Sequence, residues 1–308
     1  MSCAGDRYVR TPALDGLAAS GTRFGLAFSA NPVCVPCRYS LMTGRMPHVF
    51  EGLETNRKRA GADRPKMCEW IETPPMGYLM REAGYETVDG GKLHVEGSYS
   101  YAPEEEDTYG FRWICSDIRQ ELAEECAAYL RAPHERPFFL WASFDNPHDI
   151  CGFLGPEDPA REYDAEAVPL PENFAPTRNE AEWVKGLRDG SLGTEDTLEL
   201  GLNRRFARAA KDWPEDRWRR YRGVYRTFME QVDRQIALIT AALRDSGRER
   251  DTVVIFLSDH GEHDGAHGLT MKRSFYEESV HVPMIVVPPG GAPAGRVDDE
   301  HLISNGLD

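Results

Sequence analysis

The chain has 308 residues, 41% of them hydrophobic, with six Trp and a formal net charge of −15. That length and apolar content suit a globular body with a large core, and exclude a disordered chain. The acidic balance argues against nucleic acid or an anionic membrane as partner, and no stretch approaches the roughly 20 apolar residues of a membrane helix.

The N-terminal MSCAGDRYVRTP lacks the apolar centre of a signal peptide. Thr11-Pro12 followed by ALDGLAAS and Gly21 predicts a capped helix, with Thr11 as N-cap. RFGLAF (23–28) is a short strand candidate, and Pro36 opens a second helix through Tyr39, Leu41 and Met42. Thr73-Pro74 starts another helix, MGYLMREAG, closed by Gly84 and followed by the strand-like YETVD at 85–89. After Pro137, FFLWASF has the length and aromatic content of a buried strand. Residues 150–215, rich in Pro, Glu, Asp and Gly, read as surface excursions outside the core. From Arg217 to Arg244 apolar residues recur at helical spacing, and TVVIFL (252–257) and VPMIVV (282–287) close the series as apolar strands. Helices alternating with buried strands predict an α/β fold with a mostly parallel sheet.

Four polar clusters follow strand candidates directly: NPVCVPCR after RFGLAF, GGKLH after YETVD, DNPHD after FFLWASF and SDHGEHDGAHG after TVVIFL. In open α/β sheets ligands bind at the carboxyl ends of strands, so the four are expected to converge on one site. His263 and His267 have the i, i+4 spacing of a zinc pair, but the intervening Asp264-Gly265 favours a loop over the helix that spacing needs. The seven cysteines are scattered and do not form a disulfide framework. CVPC alone is compatible with a thiol redox pair or a metal clip.

Taken together, the clusters resemble the type I sulfatases, formylglycine-dependent enzymes of the alkaline-phosphatase-like superfamily. Cys34-Val35-Pro36-Cys37-Arg38 and Thr43-Gly44-Arg45 are similar to that family's C-x-P-x-R and T-G-R signature. Gly91-Lys92-Leu93-His94, Asn146-Pro147-His148, Ser258-Asp259-His260-Gly261 and Lys272 with Tyr276-Glu277-Glu278 resemble four further elements, in order. The resemblance implies a central, mostly parallel sheet flanked by helices on both faces, and one sulfatase catalytic domain over 1–308. It implies hydrolysis of a small-molecule or carbohydrate sulfate ester, with no nucleic-acid or membrane partner. It also implies conversion of Cys34 to formylglycine by a maturation enzyme. Hydrated formylglycine offers one hydroxyl to attack sulfur and a second to drive sulfate out.

On the same basis Asp259, His260 and residue 34 are expected to hold Ca²⁺ or Mg²⁺. Arg38 would orient the nucleophile, and Lys92 and Lys272 would hold the sulfate oxygens. His94 would take a proton during elimination, and His148 would protonate the leaving alcohol.

Two departures accompany the resemblance. Cys37 stands where Ser or Ala is usual, and a Cys34–Cys37 disulfide would block maturation. The family's first strand, with its paired Asp-Asp metal ligands, and its C-terminal subdomain are expected to be missing from 1–308. The competing readings are a phosphonate monoester hydrolase or phosphodiesterase of the same superfamily, an inactive homologue acting as a binding protein, and a thiol oxidoreductase.

Overall fold

A computed structural model describes residues 1–49, 74–95, 108–154, 166–191 and 206–308. Its helices are α1 (Pro12–Ser20), α2 (Cys34–Thr43), α3 (Met76–Glu82), α4 (Gln120–Arg131), α5 (Glu182–Asp189), α6 (Glu215–Asp245) and α7 (Glu277–Val280). Its strands are β1 (Thr22–Phe24), β2 (Ala27–Ser29), β3 (Glu86–Gly91), β4 (Arg112–Cys115) and β5 (Phe138–Ser143). β6 (Val254–Leu257), β7 (Met284–Val287), β8 (Arg296–Asp298) and β9 (Ile303–Asn305) complete the set. Among the described residues, no helix is long and apolar enough to cross a membrane.

The fold is α/β, with three hydrogen-bonded sheets among the described residues, ordered β4-β3-β5, β6-β7-β1-β8 and β2-β9. The first is parallel throughout, as are β1–β8 and β2–β9. The pairing is mostly parallel, as expected, with β7 the exception, antiparallel to both β1 and β6. RFGLAF is not one strand: it divides into β1 and β2, which join different sheets. The chain kinks at Gly25, where a Cβ would lie 1.8 Å from Asp299 Oδ1.

Helices cover both faces of β4-β3-β5. On one side Val35, Tyr39 and Met42 of α2 pack with Phe111 and Leu93 against Trp113, Phe139 and Trp141. On the other, α4 presents Leu122, Cys126 and Leu130, and α6 presents Ile239, to Leu140 and Ala142. β5 and β6 are the outer strands of their sheets, and both lean on α6. Leu140 and Val254 share a cluster with Ile239, and Phe144 and Phe256 share one with Ile236.

Three local expectations are corrected. Thr11 makes no capping bond; its hydroxyl pairs with Ser2 at 2.7 Å. The first turn of α1 is capped from a distance by Asp233 of α6, which accepts the N–H groups of Ala13 at 3.1 Å and Leu14 at 2.9 Å. A carboxylate at a helix N-terminus satisfies orphan donors and complements the helix dipole. Helix α2 begins at Cys34, two residues before Pro36, and ends at Gly44 with a left-handed φ of 64°. Segment 150–215 is not merely surface: Ile150, Phe153, Leu170, Phe174, Ala210 and Trp213 build an aromatic cluster on Trp218, Tyr221 and Phe228 of α6. Pro and acidic residues dominate its composition and mask these anchors. Thr73, the expected helix start, and Cys68 lie outside the described residues.

Candidate active site

The four polar clusters meet. Cys34 opens α2, so its side chain lies at the end of the helix where backbone amides are unpaired and anions are favoured. Its Sγ lies 3.1 Å from His260 Nε2 and receives a hydrogen bond from Lys272 Nζ at 3.3 Å. His148 also hydrogen-bonds it. Burial alone would raise the thiol's pKa. The charges of Lys272, Lys92 and His260 and the bond from His148 outweigh burial and hold it well below the ordinary thiol value. In this geometry Sγ marks where the oxygens of a formylglycine would stand.

Lys272 and Lys92 are both buried. Burial disfavours each ammonium, but the facing Cys34 thiolate and the nearby carboxylates raise both pKa values. Two cations are thus held charged in a dry site. Lys92 Nζ pairs with Asp145 Oδ1 at 2.8 Å, and His148 Nδ1 lies 3.9 Å from Asp145 Oδ2. Asp145 therefore links a lysine from the end of β3 to a histidine from the end of β5. Burial would raise its pKa, yet Lys92, His148 and Arg119 pull it below the usual carboxylate value. For His148 burial is the largest influence and lowers the pKa, helped by the two lysines and opposed by Cys34. His94 is buried two residues beyond Lys92, with a left-handed φ of 45°.

Arg38 ties the strand ends together. Its Nε donates to Asp259 Oδ2 at 3.1 Å, and its Nη1 to the Lys92 carbonyl at 2.6 Å and Ser143 Oγ at 3.0 Å. Burial would raise the Asp259 pKa, but His260 and Arg38 bring it down to about 2. Gly91 permits the close approach of β3 to β5. Its φ is 90°, and a Cβ there would lie 2.2 Å from the Ser143 carbonyl oxygen.

Cys34, Asp259 and His260 offer ligand atoms within 4.8 Å of one another. The fit to a divalent cation is supported by the orientation of the histidine. His260 Nδ1–H donates to the Gly261 carbonyl at 2.9 Å, which turns Nε2, the ring nitrogen that would ligate a metal, toward Cys34. Asp259 is ionised, with Oδ1 3.8 Å from His260 Nε2 and the other oxygen on Arg38. His263 and His267 take no part in a zinc pair. His263 Nε2 bonds Ser274 Oγ at 2.8 Å, and His267 stacks on Tyr276 with ring centroids 3.8 Å apart. Gly265 and His267 have left-handed φ, as the loop reading requires.

Cys37 and Cys34 are both free thiols. Cys37 Sγ donates to the Asp259 carbonyl at 2.9 Å, and burial beside Asp259 pushes its thiol up to about 12. Ser29 Oγ and Asn305 Nδ2 reach the same carbonyl at 2.6 and 3.3 Å. Asp145, Ser143, Ser29 and Asn305 were not singled out from sequence. Asp145 alone had a signal, its place in DNPHD beside His148.

The structure thus brings a helix-borne cysteine, two buried lysines and an aspartate–histidine pair together at converging strand ends. The chain belongs to the sulfatase family, whose profile matches residues 1–305. The Δ4,5-hexuronate-2-O-sulfatase of Bacteroides thetaiotaomicron is 30% identical over 289 residues, covering 90% of this chain and 56% of that protein. Human iduronate 2-sulfatase is 26% identical over 337 residues, covering 94% and 57%. The solved structure of a 2-O GAG sulfatase superposes with a TM-score of 0.76 at 27% identity, covering 97% of this chain and 63% of that one. The chain thus spans little more than half the length of the curated relatives it matches.

Proposed function

We propose that this chain carries the catalytic centre of a sulfuric ester hydrolase that acts after Cys34 has become formylglycine. The observation that carries the reading is the position of Cys34 Sγ, 3.1 Å from His260 Nε2 and 3.3 Å from Lys272 Nζ. A formylglycine there supplies a hydroxyl nucleophile together with the hydroxyl that later expels sulfate. A divalent cation held by Asp259, His260 and residue 34 supplies Lewis-acid stabilisation, with Ca²⁺ the proposed ion and Mg²⁺ the alternative.

The chain's own residues divide the remaining work. Lys92 and Lys272 bind the sulfate oxygens with charge-assisted hydrogen bonds. Arg38 fixes Asp259 and the β3 and β5 strand ends, so its part is to hold the site's shape more than to touch substrate. His148, backed by Asp145, is placed to give a proton to the leaving alcohol. His94 takes the proton released on elimination. The names of the relatives support a sulfated carbohydrate, with sulfate on a sugar 2-oxygen, as the substrate class.

The test is co-production with a formylglycine-generating enzyme and peptide mass spectrometry. A loss of about 18 Da at Cys34 marks conversion of thiol to aldehyde. The converted protein is then assayed on aryl and sugar sulfate esters beside the matching phosphate and phosphonate esters. Preferential turnover of sulfate esters supports the proposal. Preferential phosphonate or phosphate turnover shifts it to the phosphonate monoester hydrolases. An unconverted thiol with sulfate binding but no turnover leaves a binding protein.

A further inference from the structure

Lys272 stands between two residues of unusual backbone. Met271 has φ 68° and Arg273 φ 85°, both left-handed and both carrying a Cβ. Such conformations are costly and persist only where surrounding contacts over-determine them. Here the contacts are identifiable. The half-buried carboxylate of Glu262 accepts the Met271 N–H through Oε1, and the same oxygen accepts the Tyr221 hydroxyl at 2.7 Å. His263 N–H donates to the Met271 carbonyl at 2.7 Å, and Ser279 Oγ accepts the Arg273 N–H at 3.1 Å.

The loop that contributes Asp259 and His260 therefore also builds the seat of Lys272. Tyr221 comes from α6, so the seat is anchored to the long helix and to its aromatic cluster. Relaxing Met271 toward a right-handed or extended φ would redirect the Lys272 side chain away from Cys34 Sγ. It would also leave the Glu262 oxygen without its backbone donor in a dry pocket.

We infer that Glu262 is a positioning residue for Lys272: through the Met271 N–H it locks the left-handed turn that aims Nζ at the reacting position. This rests on the reading of Lys272 as a sulfate-binding cation. Glu262 touches neither Cys34 nor the metal edge in any hydrogen bond described above, so its influence on the reaction passes through the lysine.

The experiment is a double-mutant cycle on the whole chain, read by calorimetric binding of inorganic sulfate and by kcat and KM for a sulfate ester after conversion. Lys272→Ala is expected to weaken sulfate binding about tenfold and to lower kcat about 100-fold. Glu262→Ala should reproduce most of both losses, whereas Glu262→Gln, which keeps the acceptor oxygen, should stay within about threefold of the parent. The double variant Glu262→Ala/Lys272→Ala should be no worse than Lys272→Ala alone, because coupled residues are non-additive. Ser279→Ala, a near-isosteric change, reads the same seat from the other side if Glu262→Ala does not fold, and should weaken sulfate binding in the same non-additive way. Multiplying losses in the cycle, or equal damage from Gln and Ala, overturns the inference while the sulfatase reading stands. A parent chain that neither binds sulfate nor turns over sulfate esters overturns both.

Discussion

Replacing Asp145 by Asn keeps the side chain's shape but removes the charge facing Lys92. The two side chains are 2% and 3% exposed and their charged atoms are 2.8 Å apart. Removing one partner of a buried pair costs about 3–5 kcal/mol, because the other charge stays desolvated. Lys92 retains attraction to Cys34 and Asp259, so the expected cost falls just below that range, about 2–3 kcal/mol. With an m-value of about 3 kcal/mol/M, the urea midpoint should fall by roughly 1 M. The effect has a pH signature. Asp145 has a depressed pKa in the folded state. Its stabilisation is therefore fully present above the unfolded value of about 3.9 and is lost as pH falls through the lower folded value. Parent and variant should draw together in stability as pH falls below about 3.9 and through the lower folded value. Catalysis should suffer separately. Lys92 and His148 lose their common anchor, and kcat should drop about 10- to 100-fold. Urea titrations monitored by tryptophan fluorescence from neutral pH down to acid would decide. A variant within about 0.5 kcal/mol of the parent at neutral pH, or a difference that does not close on acidification, would refute the argument.

Three further outcomes are expected. Cys37→Ser should convert at Cys34 and turn over substrate within about threefold of the parent, since a hydroxyl can also donate to the Asp259 carbonyl; abolished activity would instead favour a dithiol function. Asn305→Ala removes the amide that accepts Ala30 N–H at 3.0 Å and donates to Ser258 O at 2.6 Å. It should cost about 1–3 kcal/mol and weaken divalent-cation binding, measured by thermal melts with and without Ca²⁺. Asp233→Ala uncaps α1 across the molecule and should cost about 1–2 kcal/mol in a urea titration, while sulfate binding stays unchanged.

What the residues disclosed in advance follows from their physics. The candidate site was legible because each cluster directly follows an apolar run, and strand ends in an α/β sheet point their loops to a common edge. Cys34, Lys92, His148, Asp259 and His260 accordingly fall together, and Lys272, which lies beyond the four clusters and was expected only from the family resemblance, joins them. The supporting residues were hidden because pairing is a tertiary fact. Nothing local says that Asp145 will neutralise Lys92, that Asn305 will reach the Asp259 carbonyl, or that Asp233 will cap α1 in place of Thr11. The break between β1 and β2 was hidden for another reason. Gly25 can be read as strand interior or as corner, and only the approach of Asp299 decides.

The outer position of β6 has a bearing on the behaviour of the protein in solution. Among the described residues, Val253 and Ile255 are 52% and 57% exposed beside a strand that pairs with β7 on one side only. β5, resting on the same helix, likewise ends its own sheet. An apolar strand with an unsatisfied edge is a template for strand addition, which proteins ordinarily blunt with charge, proline or cover. Between Val254 and Leu257 there is no lysine, no proline and no acidic residue to act as gatekeeper. Colloidal stability of this chain is thus governed along the strand whose end carries Asp259 and His260. Light scattering against protein concentration should report it first.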